Sequence, residues 1–336
     1  MTSGEKKVAR HEVTASVIVE WYNMTHAELD RATRMLAALT SQAASLYSSE
    51  SAPVRLAKPL DLVIVFDSDQ HSRQQVQAAF GDLTNATDAL MPRFLPIPDA
   101  RYCQLKNAGA ASSTSELIIF LDSDVIPEPN WLAAFLEAFA DPRIDVVVGN
   151  TYVDCNGPAV YPKAMALTWM FPLRDSSDRL RLSTWFYANN VAFRREAFVS
   201  RQFADVPGLT HAPARLLVER LRREGVAIWH AGNARASHPP PNGSIHFVMR
   251  AIAGGKARAF FEPRPSIGGT IRWIRNDIRS ITWGCKRIVL SGSKVELRWW
   301  QVPMAVVYPT AYYSLFCLGS LLSIVMPGLM RERFDL

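Results

Sequence analysis

Three short runs dominated by apolar and β-branched residues, Val13–Val19, Leu60–Phe66 and Leu117–Leu121, constrain this chain more than anything else in it. Each has strand length, and each is followed at once by acid: Glu20, Asp67 and Asp122. Strands apolar on both faces have to be covered on both, which places them inside a mostly parallel sheet between helices. The intervening sequence supplies those helices. Thr25 and Glu28 form a capping box, and Leu29, Ala32, Leu36, Leu39, Ala43 and Leu46 fall on one helical face. Gln70–Phe80, Tyr102–Ala111 and Asn130–Phe139 read as further helices, with Phe94–Ile97 and Ile144–Val148 as further strands. The expected class is α/β with right-handed crossovers.

In such a sheet ligands bind beyond the carboxyl ends of the strands. The residues there are Glu20-Trp21-Tyr22-Asn23, Asp67-Ser68-Asp69 and Asp122-Ser123-Asp124. An acid at a strand end is commonly a turn residue or a helix cap. Three acidic clusters at neighbouring tips would repel one another unless a cation or a hydrogen-bonding ligand lay among them. Hard divalent ions such as Mg²⁺ or Mn²⁺ take oxygen ligands and bridge carboxylate to diphosphate. The chain has no Gly-rich phosphate loop, Walker lysine motif or GxSxG elbow to suggest another chemistry.

Charge and hydropathy divide the chain. Of the net +6, Asn242–Arg298 holds eleven Lys/Arg against three acids, so the first 241 residues are slightly negative. That distribution argues against a nucleic-acid-binding module. Trp299–Met330 then runs without Asp, Glu, Lys, Arg or His. About 20 helical residues cross a bilayer core, and Pro303–Met326 supplies such a span behind an aromatic pair, Trp299-Trp300. Pro309 and Gly319 weaken a straight helix there, leaving one crossing and a re-entrant hairpin both open. Upstream, Ile271, Ile274, Ile278 and Ile281 recur at helical spacing among Arg272, Arg275, Arg279, Lys286 and Arg287. The pattern predicts a helix lying in the membrane interface, its cations on anionic headgroups. An ordinary amphipathic helix packed on the globular part is the plainer reading. The basic flank points to the cytoplasmic side. Met1–Glu12 is polar and no apolar signal region follows, so the sequons at Asn23, Asn85 and Asn242 read as accidental. Four scattered cysteines exclude a disulfide scaffold or a zinc ribbon.

Several blocks in order resemble family 2 glycosyltransferases of the GT-A fold: Ser16-Val-Ile-Val-Glu-Trp-Tyr-Asn23, Asp61-Leu-Val-Ile-Val-Phe-Asp67, Lys106-Asn-Ala-Gly109 and Leu117-Ile-Ile-Phe-Leu-Asp-Ser-Asp124. Pro127 and Trp131 strengthen the match, as do Asn189-Asn-Val-Ala-Phe-Arg-Arg-Glu-Ala-Phe198 and the segments Leu217–Gly225 and Ala234–His238. The resemblance implies a GT-A domain over 13–240, after a polar tail over 1–12. A basic interfacial segment (241–298), a membrane-inserted segment (299–330) and a short tail (331–336) follow. It implies that Glu20, Tyr22, Asp67 and Asn107 line the donor pocket, with Asp67 facing the base. Asp122 would approach ribose or donor sugar, Asp124 would bind the metal, and His238 would reach the metal or diphosphate.

Two departures stand out. Glu20 replaces the proline that usually precedes the Tyr-Asn of the first block. More seriously, Pro213 and Ala214 stand where the family has a Glu-Asp pair whose Asp is the general base. Asp205 and His211 are the nearest substitutes, and losing a base costs typically ~10²–10⁴-fold in rate. Arg298-Trp299 evokes the QxxRW motif of processive synthases, but position 295 is Val. The expected activity is inverting, metal-dependent sugar transfer from a nucleotide-diphospho-sugar to a lipid-linked or cell-envelope polysaccharide acceptor. It would take place at the cytoplasmic membrane face, with membrane lipids as further partners. The rivals are a catalytically degenerate nucleotide-sugar-binding scaffold and a nucleotidyltransferase. The second lacks its Gly-rich, basic signature near the first strand.

Overall fold

A computed structural model describes residues 11–22, 29–49, 52–80, 87–206, 209, 212–262 and 266–333. The capping pair Thr25/Glu28, Asn23, Asn85 and His211 lie outside the described residues. The chain divides into two compact units. The first comprises residues 1–151, 175–204 and 214–236, and the second 152–174, 205–213 and 237–336.

The first unit is organised by a nine-stranded mixed sheet. Its strands are β2 (Ala15–Glu20), β4 (Leu60–Asp67), β5 (Leu90–Ile97), β6 (Leu117–Asp122), β7 (Ile126–Pro127), β8 (Val146–Val153), β9 (Leu180–Ser183), β10 (Asn190–Arg194) and β11 (Ile228–His238). A separate parallel pair is formed by β1 (His11–Val13) and β3 (Val54–Leu56). The sheet order is β5-β4-β2-β6-β10-β8-β11-β7, with β9 on β11. From β5 to β6 all neighbours are parallel, as the apolar runs require. β10 then runs antiparallel to β6 and β8. The reversal beyond β6 leaves the carboxyl tips of β2, β4 and β6 side by side at one edge of the parallel half, a suitable place for a ligand.

Two cores sandwich this sheet. On one face Val17, Val19, Leu62, Ile64 and Leu121 pack with Met35, Leu36 and Leu39 of α1 (Leu29–Ser48) and Trp131 and Phe135 of α4 (Trp131–Ala138). On the other, Ile18, Val63, Val65 and Phe120 pack with Leu105 of α3 (Tyr102–Ser112), with Phe198 of α6 (Arg195–Val199) and with Leu217 and Leu221 of α7 (Ala212–Arg223). Alternate residues of one strand serve opposite cores, hence the near-continuous apolar sequence. α2 (Arg73–Phe80) adds Val76 and Phe80.

α3 crosses the sheet unusually closely. A Cβ at Gly109 would lie 2.4 Å from Ile18 Cγ2 and 2.9 Å from Val65 Cγ2, both on fully buried residues.

In the second unit, α5 (Val160–Thr168), α8 (Gly243–Phe261), α9 (Ile267–Ser291), α10 (Val302–Ala305), α11 (Val307–Val325) and α12 (Pro327–Arg333) form a helical assembly. α8 and α11 meet backbone to backbone. A Cβ at Gly255 would come 2.1 Å from Phe316 O, and one at Gly319 2.3 Å from Ile252 O. α9 turns Trp273, Asp277, Gly284 and Ile288 inward. Arg258 forms a bidentate pair with Asp277 at 2.6 and 2.9 Å and reaches Ser320 Oγ at 2.7 Å. The isoleucine stripe at 271, 274 and 278 is left exposed instead of packed. Trp299–Val325 is long and apolar enough to cross a bilayer, and only 22% of its most apolar window is buried within the protein.

Overpacking a rigid contact costs about 1–3 kcal/mol. Gly109→Ala should therefore lower the unfolding free energy by about that amount, as read from urea titration, because neither Ile18 nor Val65 has room to retreat.

Candidate active site

The parallel register sets Glu20 of β2 directly beside Asp122 of β6. Glu20, Asp122 and Asp124 are all buried. Against them lies a buried cation, Lys106 of α3, whose Nζ is 2.7 Å from Asp122 Oδ1. The close passage of α3 at Gly109 lets this lysine, one turn away, reach the strand tip without exposure. Tyr102, four residues before Lys106 on the same helix face, directs its hydroxyl at both Asp122 oxygens (2.9 and 3.0 Å). Lys106 also sits 4.7 Å from the centre of the Tyr102 ring. Burial first, then the Asp122 charge, push the Tyr102 hydroxyl well above its ordinary range, so it serves as a donor.

Three carboxylates against two buried cations, Lys106 and Arg31 of α1, leave one negative charge unbalanced. Glu20 registers the excess: loss of solvent, then the charge of Asp122 and further the charge of Asp124, raise its carboxyl well above the usual range. Lys106 and the Tyr22 main-chain N–H, which donates to Oε2 at 2.6 Å, oppose that rise. Asp124 is fixed through its backbone, its carbonyl accepting from Arg31 Nε of α1 at 2.8 Å. Buried oxygen donors with surplus negative charge suit a hard divalent cation. The residues present are therefore compatible with one.

The other expected site residues are placed as follows. Tyr22 follows Glu20 and meets the Tyr102 ring edge-on at 6.4 Å between centroids. Asp67 ends β4, but its carboxylate is engaged in its own turn, accepting from the Asp69 N–H at 3.0 Å and Gln70 Nε2 at 2.8 Å. Asn107 is a brace: its amide donates to Phe203 O at 2.9 Å and accepts from Phe203 N at 3.0 Å. Asp205 belongs to the second unit and is exposed. His238 closes β11, in the second unit, against Phe171 and Trp169 with ring centroids at 4.9 and 5.6 Å. Its Nδ1 faces Pro239 O. Pro213 and Ala214 lie in the first turn of α7, where proline is tolerated, and Ala214 packs into the core.

Sequence reasoning gave no role to Tyr102, Lys106 or Arg31. The i, i+4 spacing of Tyr102 and Lys106, with Gly109 beyond, was the available signal. A tyrosine and a lysine on a face that also carries core leucine and glycine must end near a buried acceptor. The Trp131 and Asn190 of the resemblance blocks lock to each other (Trp131 Nε1 to Asn190 Oδ1, 2.8 Å), and Asn190 continues to Ala234 O.

Residues 16–201 match the family model described as "Glycosyl transferase family 2". The chain belongs to glycosyl transferase family 2. A glucosyl-dolichyl phosphate glucuronosyltransferase of Haloferax volcanii is 24% identical over 153 residues, covering 45% of this chain and 47% of that protein. The match thus spans about half of the curated relative. Among solved structures, the fold is similar to a mannosyltransferase from Pyrobaculum calidifontis, solved with GDP-Man and Mn²⁺. Its TM-score is 0.55 at 13% identity, over 97% of this chain and 92% of that one. It also resembles GalNAc-T7, solved with UDP, GalNAc and Mn²⁺, with TM-score 0.51 and 14% identity over 85% of this chain and 58% of that one. The family 2 domain has the GT-A fold, as its blocks implied.

A carboxyl whose folded-state value is raised favours folding only while it stays protonated. At pH below the ordinary 4.5 Glu20 is protonated in both folded and unfolded chains. Above it, the unfolded chain ionises freely while the folded one has to keep the proton or bury a charge. In metal-free protein, the stability of Glu20→Gln relative to wild type should therefore increase from pH 5 to pH 8, measured by urea unfolding. A constant difference would contradict the buried-carboxyl account.

Proposed function

We propose that this chain transfers a sugar, with inversion, from a nucleotide-diphospho-sugar to an acceptor hydroxyl, using a divalent cation held by Asp124. The observation that carries the reading is the buried, under-neutralised carboxylate group at adjoining strand tips of a GT-A sheet. Asp122 and Asp124 are buried and offer oxygen ligands, a donor type suited to Mn²⁺ as well as Mg²⁺. The GDP-Man, UDP and Mn²⁺ of the two similar structures support the same donor class.

The bound cation would act as a Lewis acid on the departing diphosphate. The protein's own residues have separate tasks. Asp122 accepts a hydroxyl of the donor, and Tyr22 and Asp67 border the nucleotide. The acceptor proton passes to Asp205 or to His211, in place of the acid missing at Pro213-Ala214. Separate Asp205→Asn and His211→Ala variants should show one large loss, on the order of 10²-fold or more. Equal, near-normal rates in both leave no base on this segment. The core position of Ala214 favours a second reading, a scaffold that binds donor without transferring it. Such a protein would bind nucleotide sugar with metal and never turn it over.

The acceptor is lipid-linked or an envelope polysaccharide, reached at the cytoplasmic face of the membrane. Support comes from the exposed Ile271, Ile274 and Ile278 beside Arg272, Arg275 and Arg279 on α9, from the apolar run Trp299–Val325, and from the dolichyl-phosphate relative. An apolar stripe flanked by cations suits anionic bilayer surface.

Two measurements test the reading. In a panel of nucleotide sugars with Mn²⁺, at least one should raise the melting temperature, since a ligand for the folded state stabilises it by mass action. Asp124→Asn should abolish the metal-dependent part of that shift. Full-length protein should resist extraction from membranes at high salt and alkaline pH; release into the soluble fraction would remove the membrane assignment.

A further inference from the structure

Asp122 has a neighbour across the sheet as well as on α3. Leu121 of β6 pairs with Asn190 of β10, and the Asp122 N–H donates to Asn189 O at 3.4 Å, which carries that antiparallel register one residue further. Alternation along the strands then fixes the faces. Ile118 and Phe120 share a core with Val191 and Phe193, so Asp122 and Asn189 fall on that same face. Asn190 turns the other way, to Trp131. Opposed residues of an antiparallel pair hold their Cβ atoms about 4.5–5.5 Å apart. The Asn189 amide therefore lies beside the Asp122 carboxylate, within the first unit, and both residues are buried.

One end of that amide is engaged. The hydroxyl of Thr151, a buried residue of β8, donates to Asn189 Oδ1 at 3.2 Å. Among the described residues none accepts from Nδ2. An ionised carboxylate only accepts, and an amide nitrogen only donates. A hydroxyl satisfies both at a single atom, giving its proton to one and taking a hydrogen bond at its oxygen from the other.

We infer that Asn189 is a specificity-determining residue for the donor, its Nδ2 donating to the oxygen of the same sugar hydroxyl whose proton Asp122 accepts. Thr151 is a positioning residue that holds the amide with its nitrogen free for that contact. The inference rests on the reading of Asp122 as acceptor of a donor hydroxyl. It adds a selection rule: a hydrogen at that ring position leaves both groups without a partner, and a carboxylate there is repelled by Asp122.

The test uses the full chain with Mn²⁺ and isothermal titration. The probes are UDP, GDP, UDP-glucose, UDP-galactose, UDP-N-acetylglucosamine, UDP-glucuronate and GDP-mannose. If wild type binds none of the nucleotide sugars, the donor reading itself fails and the inference falls with it. For a nucleotide sugar that binds, Asn189→Ala should weaken affinity about three- to tenfold, the loss of one neutral hydrogen bond, and leave its parent nucleotide within about twofold. The monodeoxy analogue lacking the contacted hydroxyl should bind Asn189→Ala and wild type within about twofold of each other, because the partner is gone from both. Thr151→Val should show a smaller loss of the same kind, and Thr151→Ser, which keeps the hydroxyl, none. A brace between strand tips would instead weaken nucleotide and nucleotide sugar alike. That outcome, an unchanged affinity for the nucleotide sugar, or an undiminished effect of Asn189→Ala on every monodeoxy analogue overturns the inference. Should Asn189→Ala not fold, Thr151→Val carries the test. The absence of a split between nucleotide and nucleotide sugar there overturns the inference equally.

Discussion

Burying negative charge faster than it is neutralised is the constraint on which this molecule turns. The parallel register of β2 and β6 forces Glu20 against Asp122, and the β6 tip adds Asp124 two residues later. Solvent cannot screen these groups, because the strands that carry them are covered on both faces. The chain answers with Lys106 inserted from α3 and Arg31 from α1, and the remaining imbalance shows in the raised Glu20 carboxyl. A site of this kind is stable enough to fold and still electrostatically unfinished. Such a site suits a divalent ion, which would satisfy the carboxylates and could draw phosphate oxygens with its remaining charge.

The second unit solves a different problem with different means. Its helices α8 and α11 lie with backbones in contact through Gly255 and Gly319. Small residues at a crossing give dispersion contact without long side chains, the device preferred where lipid removes the hydrophobic drive. The Arg258–Asp277 pair, with Ser320 accepting into the same group and Trp273 and Phe316 stacked on the guanidinium, fixes α9 to that crossing. α9 winds about 100° per residue, which puts Ile271, Ile274 and Ile278 about a quarter turn from the inward face and the arginines beyond them. Packing thus consumes one face of α9 and leaves an apolar band bordered by cations.

Legibility in the sequence followed burial. Strands covered on both faces announce themselves by near-continuous apolar sequence, and Leu117–Leu121 was readable for that reason. The tip acids Glu20, Asp122 and Asp124 were readable as a group because parallel topology dictates which ends meet. What escaped were contacts made across the fold by residues with more than one ordinary fate. Lys106 would be called a surface residue by type, and only the Gly109 approach buries it. Asn107 and Asn190 stand in the resemblance blocks, but their amides are spent on Phe203, Trp131 and Ala234. The α9 stripe was legible as a stripe, and its direction was not: periodicity gives a face, and only packing says which way the face points.

The Pro213-Ala214 substitution bears on how far the carboxylate cluster alone can carry catalysis. An acceptor hydroxyl is a poor nucleophile, and a base matters most when the leaving group departs late. If the carboxylates and their cation draw charge onto the diphosphate early, the sugar carbon becomes electron-deficient before the new bond forms, and the acceptor proton is lost correspondingly late. The demand on the base then falls, and the exposed Asp205 would have less to supply in place of the family's aspartate. Under that balance the hold of Tyr102 and Lys106 on Asp122 gains weight. With less help from the acceptor side, transfer depends on the donor sugar being held in one orientation, and a pinned acceptor of its hydroxyl supplies that orientation.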